Sequence, residues 1–397
     1  MHKIIYVDNA ATTPVSHEVL QEMLPYFCEN FGNPSAVYSV ARNSKIATDK
    51  AREQVAEAIG CDAGEIYFTA GGSESDNWAI KGTATALAAK GKKHLITTKI
   101  EHHAVLHTMD ALCRDGFEIT YLDVDEFGLV APEQVEAAIR PDTALVSIMY
   151  ANNEIGTIEP IKEIGEVCKR HNVLFHTDAV QAIGAVEINV KEQNIDMLSL
   201  SGHKFNAPKG IGALYIRRGV SPENLIHGGG QEKGRRAGTE NVAGIVGLGK
   251  AIELATANIP QKAQKLKSLC DIVKKAALTI PKSRLNGHPE KRLPGNVSFC
   301  FEGIEGEGML LMLDMYGVCA SSGSACTSGS LEPSHVLLAI GLPHETAHGS
   351  LRITFSLDNT QEQAQFIGEK IVEIITKLRA MSPLWDDFEQ KIIKEEQ

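Results

Sequence analysis

Between residues 65 and 217 the chain alternates short apolar runs with longer amphipathic stretches, and no other feature limits its fold as strongly. Seven runs read as strands: Glu65–Thr69, His94–Thr98, Glu118–Asp123, Thr143–Tyr150, Val173–Asp178, Met197–Ser201 and Gly212–Arg217. Several lack a clean two-residue period, as expected of strands covered on both faces. Amphipathic segments separate many of them. In Pro160–Asn172, for instance, Ile161, Ile164, Val167 and Cys168 share one helical face. Such alternation predicts an α/β domain around a mostly parallel seven-stranded sheet.

The pattern changes near Gly249–Pro260. Helix-rich sequence runs to about Ile280, followed by a strand at Asn296–Phe301, a small-residue loop at Ser321–Ser330, a strand at Ser350–Ser356 and a charged final helix. The expected organisation is an N-terminal segment (1–15) packed with a smaller domain, a large domain (16–257) and that smaller α+β domain (258–397). A length of 397 residues suits two or three domains at roughly 150 residues each.

Composition excludes some classes. Lys and Arg total 39 against 50 Asp and Glu, a net charge of −11, so direct nucleic-acid binding over a broad surface is not expected. No apolar window is long enough for a membrane-spanning helix, and the first residues lack the apolar core of a secretory signal. The eight cysteines are scattered and never spaced as C-x-x-C. Reduced thiols in a cytoplasmic protein follow, most of them small core residues, with Cys319 among them.

The chemistry gathers at the carboxyl ends of the expected strands, where open α/β sheets bind ligands. Asp178 ends one strand and Lys204, in Ser201-Gly-His203-Lys204, follows the next. An acid and an amine arriving side by side suit pyridoxal phosphate: the aldehyde takes a lysine as a Schiff base, and the ring nitrogen takes a carboxylate. Gln181 and His203 are placed to bond ring and phosphate. Thr69-Ala-Gly71-Gly72-Ser73 joins a strand to a helix, and its backbone N–H groups can receive the phosphate. His103 and His107 are spaced for a metal, as are His344 and His348, but no further ligands accompany them, and no resident metal is expected. Cys326 stands in Ala320-Ser-Ser-Gly-Ser-Ala-Cys326-Thr-Ser-Gly-Ser330, a mobile-loop composition suited to a reactive thiol. Arg352 interrupts an apolar strand and wants either a structural acid or a substrate carboxylate. Asn153 ends another strand nearby.

Taken together, these motifs resemble the cysteine desulfurases, the nitrogenase-associated and housekeeping iron–sulfur-assembly enzymes of the class V aminotransferase-like group. The likeness runs from Val7-Asp-Asn-Ala-Ala-Thr-Thr-Pro14 through Phe31-Gly-Asn-Pro-Ser35, Ser201–Lys204, Arg236-Ala-Gly-Thr239 and the Cys326 loop to Ser382-Pro-Leu-Trp385, almost the whole chain. It implies the fold-type I pyridoxal-phosphate transferase architecture. By resemblance, Lys204 binds the cofactor aldehyde, Asp178 pairs with the ring nitrogen and Gln181 meets the phenolic oxygen. Gly72, Ser73, Ser201 and His203 bind phosphate, with Thr239 supplied by the partner subunit of a homodimer. His102 stacks on the ring and assists proton transfer. Asn153 and Arg352 hold the carboxylate of L-cysteine. Cys326 takes the sulfur as a persulfide, can ligate an iron–sulfur cluster in a scaffold complex, and serves a scaffold protein or another acceptor, including those of nitrogenase maturation or tRNA thiolation. Tyr38 and Ser73 depart from the common histidine and threonine. The chain is short after Trp385, where relatives help dock the scaffold.

Overall fold

The computed structural model describes residues 4–322, 333–381 and 385. Its largest sheet has seven strands: β2 (Ile66–Thr69), β3 (His94–Thr98), β4 (Glu118–Leu122), β5 (Thr143–Ser147), β6 (Leu174–Asp178), β7 (Met197–Ser201) and β8 (Gly212–Ile216). They lie in the order β2-β8-β7-β6-β5-β3-β4. Only β8 runs antiparallel to its neighbours. All seven expected strands are present; His94–Thr98 and Met197–Ser201 match in full, and the other five are shorter by one to three residues. Glu65 belongs to a helical turn, and residues 148–150 lie beyond the regular strand, although Ile148 and Tyr150 N–H still donate to His176 and Asp178 carbonyls of β6. The expected helix at Pro160–Asn172 spans Ile161–Arg170.

Successive strand residues enter different cores, which explains the missing two-residue period. Phe68, Ile96, Val146, Leu198 and Tyr215 pack on one face with the helices at Ser39–Ile59, Ile161–Arg170 and Val242–Thr256. Their neighbours Tyr67, Leu95, Leu145, Met197 and Leu214 pack on the other, against Gly72–Ala88 and His103–Arg114. Both faces are therefore dry, and all five positions of β3, β5, β7 and β8 are buried.

A second core gathers around β10 (Asn296–Phe301), flanked by β9 (Ser283–Leu285) and β12 (Ser350–Thr354), all antiparallel. The helices Ile259–Ala277 and Gln361–Arg379 cover it. Near the N-terminus, β1 (Ile5–Tyr6) pairs in parallel with β11 (Val318–Cys319), and Val7 enters the same core. A few residues on, Thr13 exchanges hydrogen bonds with the backbone of His203 and Asn206. One short segment thus ties the second core to the lysine turn.

The thiols differ from expectation. Cys168, Cys270 and Cys300 are buried, but Cys28 and Cys113 are exposed, and Cys61 and Cys319 lie between. Cys113 occupies the last turn of an amphipathic helix, off its buried face. Cys319 alternates with the buried Val318 on a two-residue strand and takes its less enclosed side.

Candidate active site

The carboxyl ends of β5, β6 and β7 open onto a cavity of about 380 Å³. Gly72, Ser73, His102, Asn153, Asp178, Gln181, Ser201, His203, Lys204 and Arg352 all line it. Thr239 is exposed and lies off the cavity wall. Cys326 falls outside the described residues.

Lys204 ends a helical turn directly after β7, and its Nζ donates to the carbonyls of Ala10 at 2.6 Å and Ala11 at 2.9 Å. Asp178 is the last residue of β6, and its Oδ1 accepts from Val180 N–H at 2.9 Å. Burial pushes its carboxyl up to about 6, against the pull of that N–H and of Lys204. Gln181 Nε2 donates to Ala10 O at 3.0 Å. His102 caps the helix at His103–Arg114 by accepting Ala104 N–H on Nδ1. Burial, then the charge of Lys204, lowers His102 to about 4, and the same two causes lower His203 to about 4. Both rings are therefore neutral near pH 7.

The turn between β2 and the Gly72–Ala88 helix meets the demands of a phosphate. A seventeen-residue helix starts at the cavity wall, so its first N–H groups have no partners within the helix. A Cβ on Gly72 would stand 2.7 Å from Val180 Cγ2, and one on Gly71, at φ +151°, would be strained. Ser73, Ser201 and His203 surround the same wall. A turn suited to a phosphate, an amine and a buried acid at these places fit pyridoxal phosphate.

Arg352 is 2% exposed. Its Nη2 donates to Asp8 Oδ1 at 2.7 Å and its Nη1 to Asn153 O at 3.2 Å. The structure thus gives it a structural acid while leaving it on the cavity wall.

Three further acids line the site without a signal of their own in the sequence. Asp76 lies one helical turn beyond Gly72. Glu101 bonds Thr98 Oγ1 and Met149 N–H through Oε1. Glu154 accepts from Ser334 Oγ. His335 also lines the cavity, sharing Nε2 with Glu101 O at 3.0 Å. His103 and His107 stack on each other at 4.9 Å. Among the described residues no group of three or more His, Cys, Asp or Glu side chains is arranged to hold a metal ion.

Residues 5–367 match the model of the aminotransferase class-V family. The chain is 59% identical over 391 residues to a cysteine desulfurase IscS of Clostridium botulinum, covering 98% of each. Among solved structures it superposes on a NifS-like protein with a TM-score of 0.89 at 39% identity, covering 95% of this chain and 100% of the other. It also superposes on SspA in complex with cysteine, with a TM-score of 0.79 at 41% identity, covering 88% and 98%. The chain belongs to the aminotransferase class-V family and, within it, to the pyridoxal-phosphate-dependent cysteine desulfurases.

Proposed function

We propose that this desulfurase converts L-cysteine to L-alanine and takes the sulfur on Cys326 as a persulfide, for delivery to an iron–sulfur scaffold or another acceptor. The convergence of Lys204, Asp178 and Arg352 on one cavity carries this reading. When bound, pyridoxal phosphate supplies an aldehyde for the amine and a ring that draws electrons from the substrate's Cα–H bond. Gly72, Ser73, Ser201 and His203 hold its phosphate, and Thr239 of a second copy adds a hydroxyl. Asp178 holds the proton on the ring nitrogen, Gln181 meets the phenolic oxygen, and His102 covers the ring face. Lys204 Nζ takes the Cα proton and returns one during product formation. Arg352 and Asn153 orient the substrate carboxylate; a guanidinium has five N–H donors, so a bond to Asp8 leaves others for the substrate.

Cys326 thiolate attacks the substrate sulfur. A sulfur–sulfur bond forms as the substrate's Cβ–S bond breaks. The electron pair of that bond stays with the carbon skeleton, which takes a proton and leaves as alanine. Chain on both sides of this segment is fastened at the cavity, which supports the assignment. Ser321 exchanges backbone bonds with Arg352 at 3.2 and 2.6 Å, and Ser334 donates to Glu154.

A homodimer fits the exposed apolar side chains between Leu20 and Ile46, where Phe31 is 69% and Val37 is 99% exposed. The seven described cysteines are free thiols, consistent with a cytoplasmic setting. No single described helix is long and apolar enough to cross a membrane.

Mass spectrometry after L-cysteine treatment tests the proposal. One added sulfur is expected on Cys326, and Cys326→Ala should keep the bound cofactor's colour while losing sulfide release. Sulfur on another cysteine, or full activity of Cys326→Ala, would overturn it.

A further inference from the structure

Asp76, Glu101 and Asp178 reach the cavity wall from three elements, and the structure provides them with little positive charge. Asp76 projects from the Gly72–Ala88 helix, is 1% exposed, and leaves Oδ1 with no hydrogen-bond partner among the described residues. The nearest ring nitrogen, His176 Nε2, stands 3.7 Å away. His176 cannot neutralise it, because that ring bridges Ser147 Oγ at 2.8 Å and Ser199 Oγ at 2.9 Å and burial keeps it neutral. Glu101 is fully buried, with both of its accepted bonds on Oε1 and none on Oε2. Of the basic groups lining this cavity, His102, His103, His203 and His335 are all lowered from their ordinary values. Arg352 is matched by Asp8. Among the described residues that leaves Lys204 as the remaining cation on a wall with four buried carboxyls, of which Glu154 accepts from Ser334 Oγ and lies within reach of the Arg352 charge. Unpaired charges in such surroundings protonate instead of remaining ionised.

We infer that Asp76 and Glu101 are positioning residues held as neutral acids, leaving Asp178 as the one carboxylate offered to the cofactor's ring nitrogen. This rests on the role proposed for Asp178. Asp178 is the member suited to ionise: Glu101 also accepts a backbone N–H, but Asp178 adds to its own N–H donor the charge of the neighbouring Lys204. The two neutral acids then line the wall without adding a second negative charge beside Asp178, which would compete for the ring's cation and repel the first.

Two measurements on the purified protein test this. Infrared spectra at neutral pH read the carboxylic-acid C=O stretch. Asp76→Asn and Glu101→Gln should each remove one acid's share of that band, and Asp178→Asn should remove none. Pyridoxal phosphate titrated into cofactor-stripped protein reads affinity. The two amide variants should bind within about threefold of the unsubstituted protein, because an amide copies a neutral acid in shape and charge. From about pH 6 to 9, the unsubstituted protein's affinity should pass through a step as Glu101 ionises; Glu101→Gln should abolish that step, which a merely structural side chain would not. An unchanged acid band in either amide variant, a tenfold or greater weakening, or a step that persists in Glu101→Gln overturns the inference. If both bands vanish as expected but Asp178→Asn binds normally, the role of Asp178 fails and the neutrality of the other two stands.

Discussion

Arg352 occupies the middle of β12, where a strand buried on every position normally carries an apolar side chain. In sequence its charge had two explanations of equal weight, a structural acid or a substrate carboxylate. Both are compatible with the geometry: the guanidinium bonds Asp8, 344 positions away, and still lines the cavity. Asp8 was invisible as its partner because nothing local links residues so far apart. Arg352→Gln should strand the Asp8 carboxylate. Asp8's side chain is 17% exposed, so the expected loss is about 2–3 kcal/mol, below that for a fully buried pair. Urea denaturation checks it. Steady-state kinetics on the folded variant should show KM for L-cysteine rising more than kcat falls, as when a grip on the bound substrate is lost. An unchanged KM would leave Arg352 with its structural bond alone.

Lys204 and Asp178 were legible from their sequence because one follows and the other ends a strand long and apolar enough to recognise. The elements missed were β1, β9 and β11, which have two or three residues each and too few positions for a period. The largest overextension was after Ser147, where residues 148–150 are apolar and Ile148 and Tyr150 still bond β6 beyond the regular strand. Antiparallel β8 has a particular consequence. It lies between β2 and β7 and brings Gly212 against the phosphate turn. A Cβ on Gly212 would stand 2.5 Å from Leu200 O and 2.7 Å from Gly71 Cα, both backbone atoms that cannot swing aside. Gly212→Ala should therefore cost about 1–3 kcal/mol and displace Gly71. Thermal melts should show a lower Tm, and added pyridoxal phosphate should raise it less than in the unsubstituted protein. A variant that loses stability but keeps the full cofactor-dependent rise would separate β8 packing from the phosphate turn.

At the scale of the molecule, parallel strands deliver their carboxyl ends to one place, and with them several buried titratable groups. These make stability pH-dependent when the cofactor is absent. Burial raises Glu101 from 4.5 to about 8, and Asp76 and Glu159 move the same way. Each such acid contributes stability that is complete below its unfolded value and is lost as pH rises through its folded one. Burial lowers His176 from 6.5 to about 3, and His102 and His203 to about 4. Those rings stabilise the fold above 6.5 and lose that contribution as pH falls. The two sets oppose each other below pH 6.5. Above it the histidines are neutral whether folded or not, and the acids act alone. The cofactor-free protein should therefore lose stability steadily from pH 6.5 to about 8. One fully buried acid accounts for about 1.4 kcal/mol per pH unit of that slope. Urea denaturation across this interval should show Glu101→Gln with a slope shallower by about that amount, because the amide has no proton to lose. An unaltered slope would mean that Glu101 ionises in the folded chain at its ordinary value, and the source of the trend would then lie with Asp76 and Glu159.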